Sequence, residues 1–168
     1  MLRIVVFEPM SVSAESLSTC DFEIVPATWR DLGTLRTLEQ VCFAKDAWPL
    51  LDLIAVLTLS GVVRLKAEID SRMVGFVAGE LRASEDLAWI ATIGVFPEYR
   101  RNGIASALLA ACERQLAVSR VRLSVRQGNT AAINLYQNFG YQRVGLWPAY
   151  YRDGADAIVF EKLVRSGL

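Results

Sequence analysis

The stretch Val95-Phe96-Pro97-Glu98-Tyr99-Arg100-Arg101-Asn102-Gly103-Ile104-Ala105, leading into Ser106-Ala107-Leu108-Leu109-Ala110-Ala111-Cys112, reads as an apolar strand, a proline-bearing turn, two arginines, a glycine and an apolar-striped helix. A helix N-terminus offers backbone N–H groups without an intrahelical acceptor and the positive end of the peptide dipoles. A strand that empties through such a loop into a helix has the shape of an anion cradle, and the helix needs a sheet to pack on. The spacing excludes two phosphate loops, because one glycine and no lysine satisfy neither Gly-x-x-x-x-Gly-Lys-Ser/Thr nor a three-glycine dinucleotide fingerprint. A plainer reading stands beside the cradle: Gly103 lets the backbone turn, and the arginines are solvated.

Composition narrows the setting. At 168 residues and 53% hydrophobic content the chain fits one domain with one core. Lys+Arg and Asp+Glu are both 18, so no basic field draws in nucleic acid. The apolar run Leu50 to Val63 is interrupted by Asp52 and is shorter than the roughly 20 residues that span a bilayer. Glu8 and Pro9 end the brief run after Met1 before a secretory core can form. The expectation is a cytoplasmic protein without a membrane partner, monomeric or a homodimer. The absence of histidine removes Ser-His-Asp and Cys-His nucleophile systems, and three scattered cysteines give neither a disulfide framework nor a metal site.

Residues 1–20 read as a loosely packed extension, and 21–168 as the domain. Phe22 to Val25 alternates like a strand, and Thr28 to Asp31 has the form of a capping box. Leu32, Leu35, Leu38 and Cys42 make the apolar face of a first helix, and Leu50 to Leu59 reads as a second. Val62 to Ile69 and Met73 to Leu81 form a hairpin around Asp70-Ser71-Arg72, and Leu87 to Val95 is a further strand. After the helix that begins near Ile104, Val121 to Val125 alternates. Asn129-Thr130 caps a short helix over Ala131 to Phe139, closed by Gly140. Tyr141 to Gly145 and Ala157 to Val164 are the last strands. The order describes an α/β domain with one mixed central sheet of about six or seven strands and about four helices.

Arg100-x-x-Gly103-x-Ala105 resembles the acyl-CoA signature of the GNAT N-acetyltransferase superfamily, whose fold has this element order. The segment Leu123-Ser124-Val125-Arg126, then Asn129-Thr130-Ala131-Ala132-Ile133-Asn134-Leu135-Tyr136 and Phe139-Gly140-Tyr141, resembles the family's second motif. With Leu38-Glu39-Gln40-Val41-Cys42-Phe43 and Tyr150-Tyr151-x-Asp153-Gly154-x-Asp156-Ala157, the chain is similar to the bacterial ribosomal-protein alanine N-acetyltransferases from residue 22 onward.

The resemblance implies acetyl-CoA as donor, with its pyrophosphate on the N–H groups of Arg101, Asn102, Gly103, Ile104, Ala105 and Ser106 and added charge from Arg100 and Arg101. It implies that Ile93, Gly94 and Val95 bind the pantetheine arm, Gly94 permitting close approach, a bulge or tight packing. Asn129 contacts the arm or simply caps its helix. Tyr136 is the implied general acid for the departing thiolate, against a plainer role as a core aromatic; a phenol with pKa near 10 stays protonated at neutral pH. Those alanine acetyltransferases carry a glutamate where this chain has Ser124, and serine takes up no proton at neutral pH. Glu80 and Asp46 are the replacement candidates for a general base, each also readable as an ordinary surface carboxylate. Phe43, Trp48, Tyr150 and Tyr151, with Ser124, flank the implied acceptor groove. The implied acceptor is a protein N-terminus, such as the alanine of a ribosomal protein. The alternatives are a small amine, or a CoA-binding module without catalysis.

Overall fold

The computed structural model describes residues 21–164, the side chain of Lys45 excepted; the expected extension over 1–20 lies outside them. Seven strands, β1 (Glu23–Pro26), β2 (Val62–Ile69), β3 (Arg72–Arg82), β4 (Leu87–Val95), β5 (Arg120–Arg126), β6 (Gln142–Trp147) and β7 (Ala157–Leu163), form one sheet in the order β1-β2-β3-β4-β5-β7-β6. Four helices flank it: α1 (Leu32–Phe43), α2 (Leu50–Thr58), α3 (Ile104–Leu116) and α4 (Thr130–Asn138). This is the expected GNAT arrangement.

Local chemistry sets the elements. The Thr28 N–H donates to Asp31 Oδ2 at 2.7 Å, and a 3-10 turn over Trp29–Asp31 leads into α1. Asp70 and Ser71, with φ of 48° and 62°, make the two-residue turn between β2 and β3. Asn129 Oδ1 accepts from Ala132 N at 3.2 Å and caps α4. Tyr141 stays outside β6 because its N–H closes the end of α4 on Tyr136 O at 3.0 Å, while its hydroxyl donates to Glu113 Oε1 at 2.7 Å.

Successive strand residues point to opposite faces, and the two faces are dressed differently. On one, α3 lies close against β3. A Cβ on Gly79 would fall 2.8 Å from Leu116 Cδ1, and one on Gly75 3.1 Å from Leu108 Cδ1, so these glycines are the seat of the helix. On the other, α1 lies over β4: a Cβ on Gly94 would meet Cys42 Sγ at 3.4 Å and the Phe43 ring at 3.6 Å. These are ordinary van der Waals distances, so the packing of α1 does not itself demand a glycine at position 94. The bulge lies earlier, where the β3–β4 register passes from Ala78↔Thr92 to Gly79↔Ile90 and leaves Ala91 over.

That bulge positions the site. β4 and β5 are the one parallel pair, joined only where Leu87–Trp89 face Arg120–Arg122. Past Trp89 a bulged strand bends away from its neighbour. From Ile90 to Val95 the ladder of β4 continues with β3, and from Leu123 to Arg126 that of β5 continues with β7. The sheet is split from the middle to one end.

Candidate active site

The anion loop stands at the mouth of this split. The Arg100 N–H is engaged by Pro97 O at 3.2 Å, so the loop's donors begin at Arg101. Arg101 and Gly103 have φ of 68° and 75°, the left-handed region, and Asn102 Nδ2 donates back to Tyr99 O at 3.2 Å. Gly103 is the N-cap of α3, and a side chain there would meet nothing within 4 Å; the loop is open on the side where an anion would approach. Left-handed residues alternating with one of negative φ at a helix N-terminus turn successive backbone N–H groups toward a common centre. Arg101, Asn102, Gly103, Ile104, Ala105 and Ser106 thus lie together on the loop and first turn of α3. Arg100 is turned the other way: its Nε donates to Val95 O at 3.0 Å, and a terminal nitrogen lies 3.6 Å from Cys42 Sγ. The expectation that its charge faces an anion is corrected, since this guanidinium braces the end of β4 against α1.

Deeper in, Tyr136 from α4 and Ser124 from β5 carry the two buried side-chain polar atoms, among the described residues, that have no hydrogen-bond partner in the protein. Both residues are 0% exposed. The Tyr136 ring packs edge-on against Tyr141, and its phenol feels the charge that Tyr151 would carry. Burial pushes the Tyr136 phenol well above its ordinary pKa, so it stays a hydrogen-bond donor. Leaving buried hydroxyls unpaired costs on the order of 1–3 kcal/mol each, and such groups fit a ligand that brings acceptors.

Registers assign the groove beside the split. Trp89, Thr92 and Gly94 of β4 share the α1 face with Ser124 and Arg126 of β5 and with Val159 of β7. Over this half of the sheet runs a chain of aromatic contacts: Trp89 stacks on Trp147 at 5.7 Å, Trp147 meets Tyr150 at a tilt at 5.2 Å, and Tyr150 stands edge-on to Tyr151 at 5.3 Å. At the groove's end one guanidinium joins three segments. Arg126 binds Asp46 from the α1–α2 connection and Asp153 from the β6–β7 loop, while lying 4.1 Å from the Tyr151 ring centre.

Of the expected groove aromatics, Tyr150 and Tyr151 are here, while Phe43 is buried in the core behind Gly94. Trp48 is half-buried against the core. Asp46, buried and ion-paired to Arg126, ties the α1–α2 connection to β5 and is a strut of the groove wall. Glu80 lies opposite Trp89 at the closed end of the split, its side chain 44% exposed and 3.7 Å from Arg82. Neither carboxylate sits beside Tyr136 and Ser124 as a ready base.

The carboxylate that sequence reading missed is Glu39. It occupies α1 on the stripe of Leu35, Leu38 and Cys42 and is 3% exposed. Its Oε1 accepts from Thr92 Oγ1 at 3.0 Å and its Oε2 from the Trp48 N–H at 3.3 Å. Burial raises its pKa to about 7, the two hydrogen bonds offsetting only part of the effect. The available signal was an acid where helical spacing calls for an apolar residue.

The shift has a consequence for stability. A carboxyl whose pKa is higher folded than unfolded binds more protons in the folded state, so stability falls as pH rises from about 4.5 through 7. The full penalty, on the order of 3 kcal/mol, is present above pH 7. Glu39→Gln should raise the melting temperature at pH 8 and leave it nearly unchanged at pH 4.5. An equal gain at both values in thermal denaturation would contradict the shift.

Comparisons with known proteins agree with this geometry. The profile of the Acetyltransferase (GNAT) family matches residues 32–141. An N-alpha-acetyltransferase of Sulfurisphaera tokodaii is 33% identical over 105 residues, 54% of this chain and 63% of that relative's length. The crystal structure of the ribosomal-protein-S18-alanine N-acetyltransferase from Escherichia coli superposes with a TM-score of 0.80 at 25% identity, covering 88% of this chain and 97% of that one. Arabidopsis thaliana NAA60, solved in complex with acetyl-CoA, shares the fold at a TM-score of 0.76 and 21% identity, covering 86% and 99%. With the split sheet, the anion loop and the buried phenol all in place, the chain belongs to the GNAT acetyltransferase family.

Proposed function

We propose that this protein transfers the acetyl group of acetyl-CoA to the N-terminal α-amine of a protein. The observation that carries the reading is the split between β4 and β5 with the anion loop following the open end of β4, in a protein whose α4 also holds a buried hydroxyl without a protein partner, that of Tyr136. Bound acetyl-CoA supplies an activated thioester. In this reading the N–H groups from Arg101 to Ser106 hold its pyrophosphate, and the strand edge of Ile93, Gly94 and Val95 receives the pantetheine arm. The Tyr136 phenol donates to the departing sulfur. Asn129, buried beside β5 as the cap of α4, keeps that helix and its tyrosine in register with the split.

The peptide assignment has two supports: the aromatic groove floored by β5 and β7, into which an extended chain end can lie, and the N-alpha-acetylating names of the relatives. An α-amine with pKa near 8 is also partly neutral at physiological pH, which suits a site without an obvious strong base.

The test is release of free CoA thiol from acetyl-CoA in the presence of peptides with free alanine, serine or methionine ends, the same peptides blocked at the N-terminus, a lysine peptide, spermidine and an aminoglycoside. The free-end peptides should give kcat/KM at least 10-fold above every other amine, and blocking should abolish turnover. Preference for spermidine or the aminoglycoside would replace the peptide reading with a small-amine one. Binding of acetyl-CoA without turnover on any amine would leave a binding module.

A further inference from the structure

Serine at position 124 leaves β5 without a proton acceptor. Across the split on the same face, β4 presents the Thr92 hydroxyl immediately after the Ala91 bulge, and behind it stands the Glu39 carboxyl. Among the described side chains no cation pairs with Glu39, although it is almost fully buried. Buried carboxylates without a cation are uncommon and costly, and this one sits one hydroxyl away from the place where β4 leaves β5. Thr92 gives its hydrogen to Glu39 Oε1, so its lone pairs remain as acceptors for another donor. The Trp48 N–H on Oε2 fixes the carboxyl plane and ties it to the α1–α2 connection, whose Asp46 reaches over to β5.

We propose that Thr92 and Glu39 form the proton outlet for the acceptor amine, Thr92 touching the nitrogen and Glu39 acting through it as a positioning residue that receives the proton. The inference rests on the acetyl-transfer reading above. As the C–N bond forms and the C–S bond breaks, the surplus proton on nitrogen moves to Thr92 Oγ1. Thr92's own proton moves to Glu39 Oε1, and Tyr136 supplies the proton for the sulfur. The product is a neutral amide and a free thiol; the Glu39 proton is then lost to solvent and the Tyr136 phenolate takes one up from solvent, which restores both groups for the next turnover. Burial places the Glu39 pKa at about 7, so the carboxylate is both formed and receptive in the neutral range. The charged and titratable groups beside it are Cys42, one turn along α1 and itself shifted up by burial, and Arg100, which reaches Cys42 from the loop after β4.

The experiment combines kinetics with a direct titration. In wild-type enzyme, one 13C-labelled glutamate carboxyl should titrate near pH 7; it should vanish in Glu39→Gln and move upward in Thr92→Val, which removes a hydrogen bond to the ionised form. With acetyl-CoA and an alanine-ended peptide, kcat should rise through an acidic limb near pH 7. Glu39→Gln and Thr92→Val should each lose that limb and about 30-fold or more in kcat at pH 7.5, while Thr92→Ser restores both and the acetyl-CoA Kd is unchanged. A carboxyl titrating below pH 5, or a Glu39→Gln variant with wild-type kcat and pH profile, overturns the inference while the function stands. Wild-type protein inactive on every amine overturns the function, and the inference with it.

Discussion

Tyr136→Phe should lower kcat about 100-fold while leaving acetyl-CoA affinity within a factor of two. The reason lies in what the hydroxyl does and does not touch. It is buried with no protein partner, so its loss leaves no donor or acceptor of the fold unpaired. The ring keeps its contacts with Tyr141 and Phe160, and the variant should be at least as stable as the parent. Such a combination, lower turnover with equal or greater melting temperature, separates a group held for chemistry from a core aromatic. Burial also keeps the phenol protonated, so the loss should be nearly constant from pH 6 to 9. Stopped assays with free-thiol detection across that range are the check, and wild-type kcat in the variant would remove Tyr136 from the mechanism.

The second large effect is expected at Gly103→Val. At φ 75° any side chain costs about 1–2 kcal/mol, and a β-branched one more, although nothing stands within 4 Å of where the Cβ would be. The chain relieves that strain by rotating the residue, which turns the N–H groups at the start of α3 away from their common centre. The acetyl-CoA Kd should therefore rise at least about 10-fold, with kcat at saturating donor changed far less. Calorimetry giving parental affinity would take the pyrophosphate away from this loop. Gly103→Ala should follow in the same direction with a smaller effect.

Much of this was legible in the chain itself. Asn129 before an apolar-periodic run and Gly140 after it marked α4 to within a residue, and φ of 85° at Gly140 is what its type allows. Alternation over Val121, Leu123 and Val125 told which side of β5 is core, and so put Ser124 and Arg126 on the other. What was hidden depends on partners distant in sequence. Alternation does not reveal an inserted residue, so the bulge at Ala91 and the split that follows were unreadable. Arg100 lies in a motif that suggests an anion, yet Val95 O and Cys42 compete for its guanidinium. Asp46 and Arg126 are 80 positions apart, and their pairing makes a strut of a residue that local sequence leaves as a surface acid. Glu39 went unnoticed because a polar residue on an apolar stripe is usually a boundary residue, and only its bonds to Thr92 and Trp48 show that it is enclosed.

The three-residue ladder between β4 and β5 also governs how the molecule comes apart. A sheet breathes at its weakest seam, and here four strands on one side meet three on the other through a few main-chain bonds near Leu87–Trp89. Amide hydrogens of β5 next to the seam should exchange faster than those at its β7 edge. A donor molecule lodged in the split would work as a keystone, wedging the halves into one cooperative unit. At 100 times its Kd it would add about 2.7 kcal/mol of resistance to heat and proteolysis.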